Sequence, residues 1–330
     1  MKLILLGDVM LGRGVGAEIL RRDPASFWGD TRELLLAADL VVANLECAIT
    51  ASAESGTPEP FHFSAPPEAV GVLAAGGVRA VTLANNHILD HGERGLRDTL
   101  RYLGEAGIAW TGAGGDAVAA ARPAVVDARG TRVGLLGFTD NVPEWAAGPE
   151  RAGVNYLPIG VDGEALERLR RGVDDARAAG AQLVVLSLHW GPNLAQRPSA
   201  AFREFARTAV NLGVDVVHGH SAHVFQGVEL IGGRPVLYDT GDILDDYAVD
   251  PELRNDQALL FELERSARGG SVLRMIPVQL GFAVVDRALG AEAVEIGARM
   301  QRLSAELGTI LDRRGAQLEL RCTLGAGAGA

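Results

Sequence analysis

Short, continuous apolar runs alternate with longer amphipathic stretches through the first two-thirds of the chain. Lys2–Leu6, Leu40–Ala43, Ala80–Leu83, Val133–Gly137, Leu183–Leu188 and Val214–Val217 are apolar without alternation, as expected of strands covered on both faces. Between them, Pro67–Ala75, Glu93–Ala106, Gly163–Ala179 and Ser199–Leu212 repeat their apolar residues at helical spacing. Gly107, Gly180 and Gly213 each follow such a stretch, where a helix end favours glycine. Strand–helix–strand alternation predicts a largely parallel sheet with helices packed on it.

The pattern changes after about Phe225. Phe225–Ile231 and Arg234–Tyr238 flank Gly232-Gly233, a strong hairpin signal. Leu259–Glu264 and Val272–Val278 flank a second glycine turn at Gly269-Gly270. Antiparallel strands are therefore expected in the last third, followed by one long helix around Ala291–Leu311. With no fixed-period repeat and no long linker, residues 1–324 read as a single domain. The alternating Gly and Ala of residues 325–330 read as a disordered tail.

Composition narrows the function. The 330 residues carry a formal net charge of -11, and no run of Lys or Arg is long enough to follow a phosphate backbone. Nucleic acid and anionic membrane surfaces are not expected partners. Two cysteines far apart, Cys47 and Cys322, give no disulfide framework. The first apolar run ends at Gly7-Asp8, too short for a signal peptide or membrane anchor. A cytoplasmic protein is expected.

The candidate chemistry is positional. Asp8 ends the first expected strand, Glu46 follows the second, Asn86-His87 follows the third, and His189, His220 and His223 follow later ones. In α/β sheets the carboxyl ends of the strands open onto a common crevice. Alone, Gly7-Asp8 reads as a turn or cap, Asn85-Asn86-His87 as a turn, and His189 as a core histidine. His218-Gly219-His220 with His223 is different, since it gathers three of only seven histidines into six residues, and imidazole is a leading ligand for transition metals. His218, on the strand side of Gly219, reads as buried structure.

In order along the chain stand Gly7-Asp8-Val9-Met10-Leu11-Gly12-Arg13, Asn44-Leu45-Glu46, Asn85-Asn86-His87 with Asp90 and Gly92, His189-Trp190-Gly191, and Gly219-His220 with His223-Val224 and Gln226. Together they resemble the poly-gamma-glutamate capsule biosynthesis (CapA-like) family of the calcineurin-like metallophosphoesterase superfamily, over Lys2 to Asp246. The resemblance implies an α/β fold, a four-layer α/β/β/α sandwich with two divalent metal ions (Mn, Fe or Zn) along one edge. It implies that Asp8 and His223 hold one ion, that Asn86, His189 and His220 hold the other, and that Glu46 bridges them. His87 would be the general acid.

The chain departs from that pattern in three places. Met10 stands where superfamily phosphatases carry a histidine, and Glu46 where they carry an aspartate. Tyr238-Asp239-Thr240-Gly241-Asp242 replaces a Tyr-Ser-x-Gly-Asn segment.

Two cations sharing a carboxylate lower the pKa of a water held between them. A dinuclear phosphoesterase-type hydrolase acting on a small-molecule or peptide-like substrate is the leading expectation. Hydrolysis or transfer at an amide such as a gamma-glutamyl linkage is an alternative, and so is a non-catalytic accessory role in polymer synthesis or export. Asp90 would orient His87 or cap the next helix. Arg13, Arg254 and Asp242 are candidate substrate contacts.

Overall fold

The structure, a computed structural model, describes residues 1–52, 62–160, 163–266 and 270–324. The expected tail at residues 325–330 and Gly269 of the second expected turn lie outside these residues.

Apolar residues that alternate across a strand must find two separate apolar environments. The first strand, Lys2–Val9, does so by sending Leu3 and Leu5 to one side and Ile4 and Leu6 to the other. It lies in a sheet of ten strands among the described residues. The parallel strands Leu40–Leu45, Val78–Thr82 and Ala109–Thr111 follow it on one flank. The antiparallel strands Gln257–Arg265 and Ser271–Gly281 lie on the other. A second sheet of six described strands is centred on Thr131–Thr139, Leu183–His189 and Val216–His220, all mutually parallel.

The two sheets pack face to face. Leu3, Leu5, Leu40 and Val42 of the first share an apolar core with Val133, Leu135, Leu183, Val185 and Val216 of the second. On the outer face of the first sheet, Ile4 and Leu6 meet helices Arg13–Ile19, Ala69–Ala75 and Gly92–Glu105. On the outer face of the second, Leu136, Val184, Leu186 and Val217 meet helices Gly163–Ala178 and Ala200–Asn211. The architecture is the expected four-layer α/β/β/α sandwich.

Several boundaries differ from the expectation. The strands that deliver polar residues run on to Val9, His189 and His220, because a polar side chain ends an apolar run without ending the backbone ladder. In the first hairpin the strand starts at Val228 rather than Phe225, and its turn glycines, Gly232 and Gly233, both have positive φ. The last helix is Gly290–Glu306 and stops before Gly308, at φ 82°. It ends five residues short of the expected Leu311, and Asp312–Arg314 and Gln317–Cys322 then form a hairpin. Among the described residues, no helix is long and apolar enough to cross a membrane.

Candidate metal centre

Register brings the polar strand ends together. Asp8 pairs with Asn44 on one side and with Asp242 on the other, while His189 pairs with His220 in the second sheet. All of these residues are buried. The result is two groups of donor atoms, each group lying within 4.8 Å: Asp8 with His189 and His220, and Asp8 with Glu46, His223 and Asp242. Asp8 is the member common to both. Glu46, expected as the bridge, falls in the second group, with Oε1 3.9 Å from His189 Nε2. Either group can hold a divalent cation.

Buried oxygens support that fit. Asp8 Oδ2, Glu46 Oε1, Asn86 Oδ1 and Asp242 Oδ2 are buried without a hydrogen-bond partner among the described residues. An unsatisfied buried acceptor costs about 1–3 kcal/mol, and more when charged, and a cation held by the donor groups would satisfy the three on Asp8, Glu46 and Asp242. The electrostatics agree. Burial, then the Glu46 charge, pushes the Asp8 carboxyl well up, and burial raises Glu46. Burial holds His189 and His220 well below the usual imidazole value, which keeps them neutral, as ligands must be. At His223 burial is outweighed by Asp242, Glu46 and Asp8, and the imidazole is pushed well up.

A hydrogen-bond relay fixes which nitrogen of His220 faces the cluster. His218 Nε2 lies 2.9 Å from the Leu6 carbonyl across the sheet interface, so it carries the proton. Burial pushes this imidazole down to about 4, so Nδ1 is bare and accepts from Ser187 Oγ at 3.2 Å. Ser187 Oγ in turn accepts from His220 Nε2 at 2.9 Å. The bare Nδ1 of His220 then points at His189 Nδ1, 3.0 Å away, and at Asp8 Oδ1, 3.3 Å away. The buried His218 is a structural strut, as its place before Gly219 implied.

His87 sits beside the cluster. Its Nδ1 is 2.8 Å from Asp90 Oδ2, its Nε2 is 3.2 Å from Asn86 Nδ2, and its ring stacks on Phe63 at 4.0 Å. Asp90 also accepts from the Phe63 backbone N–H. It does not cap the helix, whose N-cap is His91. Of the two readings of Asp90, orientation of His87 is the one the geometry supports. Arg13 lies over the rings of Phe63 and Tyr247 and pairs with Asp246 at 3.4 Å. Tyr247 packs edge-on against His223.

Two candidates are placed differently from the expectation. Asp242, expected as a substrate contact, stands within the donor group, 2.9 Å from His223 Nδ1. Arg254 is engaged by Asp256 and Glu292, and the Glu292 pair holds it to the last helix. Asp239 accepts from the Ala222 and Gly241 N–H groups and so braces the turn that carries His220 and His223. Burial pushes its carboxyl up to about 7. Asp239 and Asp242 are thus buried within the site.

Asn44 and Asn85, unassigned by sequence reasoning, complete the floor. Asn44 donates to Asp8 Oδ1, and Asn85 donates to Asn44 and to the Leu45 carbonyl.

Residues 2–247 match the family described as bacterial capsule synthesis protein PGA_cap. The chain is 31% identical to a "Probable polyglutamine synthesis accessory protein" of Mycobacterium tuberculosis, covering 92% of this chain and 91% of that one. It is 26% identical to the "Capsule biosynthesis protein CapA" of Bacillus anthracis, over 84% of this chain and 66% of that one. A solved 5'-nucleotidase from Candida albicans aligns at 11% identity and a TM-score of 0.43, over 80% of this chain and 47% of the other. On the extent of these sequence matches, the chain belongs to the PGA_cap family of bacterial capsule synthesis proteins.

Proposed function

We propose that the protein is a metal-dependent hydrolase of the phosphoesterase type, acting on a small anionic or amino-acid-derived substrate at the edge where the two sheets converge. The observation that carries this reading is the pair of donor groups sharing Asp8, in which buried oxygens of Asp8, Glu46 and Asp242 have no hydrogen-bond partner among the described residues. Asp8, Glu46, Asn86, His189, His220, His223 and Asp242 are the residues that would hold Mn, Fe or Zn. Ions bound there supply an acidified water and a Lewis acid for the oxygen under attack.

The rest falls to the chain's own groups. Asp90 accepts from His87 Nδ1 and orients the imidazole, which would pass a proton to the leaving group. Phe63 stacks on that ring and fixes its plane. Arg13, held over Phe63 and Tyr247, offers a cation to an anionic substrate at the mouth. Asn44 and Asn85 hold Asp8 and the His87 loop in place without charge.

Purified protein assayed with Mn²⁺ against phosphate esters should turn over at least one of them. His87→Asn should keep its metal while losing about 10²–10⁴-fold in kcat, with a smaller loss for substrates with good leaving groups. Loss of metal in that variant would make His87 a ligand instead.

Membership in a capsule synthesis family favours a second reading, cleavage or transfer at a gamma-glutamyl amide by the same residues. Turnover of gamma-glutamyl peptides with phosphate esters inert would establish it. Fully metal-loaded protein inert to both classes would instead support a non-catalytic accessory role in polymer synthesis.

A further inference from the structure

The two donor groups that share Asp8 are chemically unlike. One is nitrogen-rich, setting the imidazoles of His189 and His220 beside a single carboxylate. The other is oxygen-rich, setting the carboxylates of Asp8, Glu46 and Asp242 beside the single imidazole of His223. Imidazole suits Zn²⁺ and Fe²⁺, whereas carboxylate oxygens suit Mn²⁺ and Mg²⁺.

Asp242 decides how unlike the two halves are. It pairs in register with Asp8 and is 1% exposed. One of its oxygens lies 2.9 Å from His223 Nδ1, and the other is buried without a hydrogen-bond partner among the described residues. A neutral side chain at this position would leave the second group with two carboxylates, barely distinct from a mixed site. With Asp242 in place, three negative charges converge, and a hard dication compensates them better than an ion that gains its affinity from nitrogen.

From this geometry we infer that Asp242 is a metal ligand that makes the centre heterometallic, with Zn²⁺ or Fe²⁺ at the His189–His220 half and Mn²⁺ or Mg²⁺ at the Asp242 half. The inference rests on the metal-centre reading above and adds the selectivity of each half.

The test is metal content and Mn²⁺ spectroscopy. Metal-free protein is given one equivalent of Zn²⁺ with excess Mn²⁺, and then desalted. Elemental analysis should return one ion of each kind, with an electron paramagnetic resonance signal from bound Mn²⁺. In Asp242→Asn, Zn²⁺ should stay while Mn²⁺ affinity falls by more than about tenfold, the least that loss of even an outer-shell partner costs. Circular dichroism checks that the variant is folded. His220→Ala titrated with Mn²⁺ alone should keep one tight Mn²⁺, and this arm stands even where Asp242→Asn does not fold.

Wild-type Mn²⁺ affinity in folded Asp242→Asn, or loss of the tight Mn²⁺ in His220→Ala, would overturn the inference and leave the metal-centre reading intact. Wild-type protein that takes up neither ion would overturn that reading itself, and the inference with it.

Discussion

At the scale of single residues, the least conspicuous participant is Ser187. It stands in a buried apolar strand and links His218 Nδ1 to His220 Nε2. Without its hydroxyl, His220 is free to place its proton on the nitrogen that faces the cluster, where it would oppose a cation. Ser187→Ala should therefore weaken metal binding about 10–100-fold, the usual effect of removing an outer-shell partner. It should also destabilise the fold by about 1–3 kcal/mol through two unpaired imidazole nitrogens. Metal titration and chemical denaturation check the two effects separately, and unchanged metal affinity would mean that the relay does not set the tautomer. Asp8, Glu46, His189, His220 and His223, which the donor groups bring together, were candidates in the sequence because a polar residue after an apolar run marks a strand's carboxyl edge. Ser187 and Asn44 carry no such mark. Asp242 was read as a substrate contact because residue type says nothing of register, and only the pairing of Asp8 with Asp242 brings it among the donors. Arg254 was read as an anion clamp because Glu292, which engages it, lies 38 residues away.

The strands and turns that carry these residues approach one another closely, and two glycines permit it. A Cβ on Gly7 would collide with the Gly241 carbonyl, and one on Gly219 would collide with the Tyr238 carbonyl. Both glycines sit one residue before a candidate ligand, Asp8 and His220. The same approach lets the Asp8 N–H donate to the Gly241 carbonyl and the Thr240 N–H donate to the Gly219 carbonyl. Gly219→Ala must push the segment 238–242 outward, taking Asp242 with it. A cost of about 1–3 kcal/mol is expected from overpacking against backbone, with bound metal lost mainly at the Asp242 half. A variant with normal metal content and normal Tm would show that the segment can move without disturbing the donors. The His220–His223 turn is strained as well as crowded, since Ser221 and His223 both have positive φ, 117° and 57°. The central strands and long helices were legible at this scale because each is a continuous signal. The 3₁₀ helix Pro24–Thr31, the helix Arg32–Leu36 and the edge strand Ala124–Ala128 were not. Each is short, and its apolar residues are placed by tertiary contact rather than by local period.

Across the whole molecule, the layers follow from strands apolar on both faces, which require one sheet against another and helices outside. That much was readable from patterning, while the family resemblance supplied the number of layers. What patterning does not reveal is the electrostatic cost of the shared edge, where several ionisable groups lose water together. In metal-free protein these groups pull stability in opposite directions with pH. His218, His189 and His220 have depressed values, so the folded state binds fewer protons than the unfolded. Their contribution is complete above the ordinary imidazole value and is lost as pH falls below it. Asp8 and His223 have raised values, and Asp239 is raised to about 7. Their contribution is present at low pH and is lost as pH rises through those values. Above about pH 6.5, the ordinary imidazole value, only the second set still titrates, so metal-free protein should lose Tm as pH rises toward 8. Metal reverses this trend, because it binds ionised carboxylates and neutral imidazoles, the forms that high pH favours. At free metal about 100-fold above Kd, binding stabilises by about 2.7 kcal/mol per ion. Thermal melts of metal-free and metal-loaded protein between about pH 6.5 and 8 should show a Tm gap that widens with pH. A gap that stays constant or narrows would place the bound metal away from Asp8 and His223.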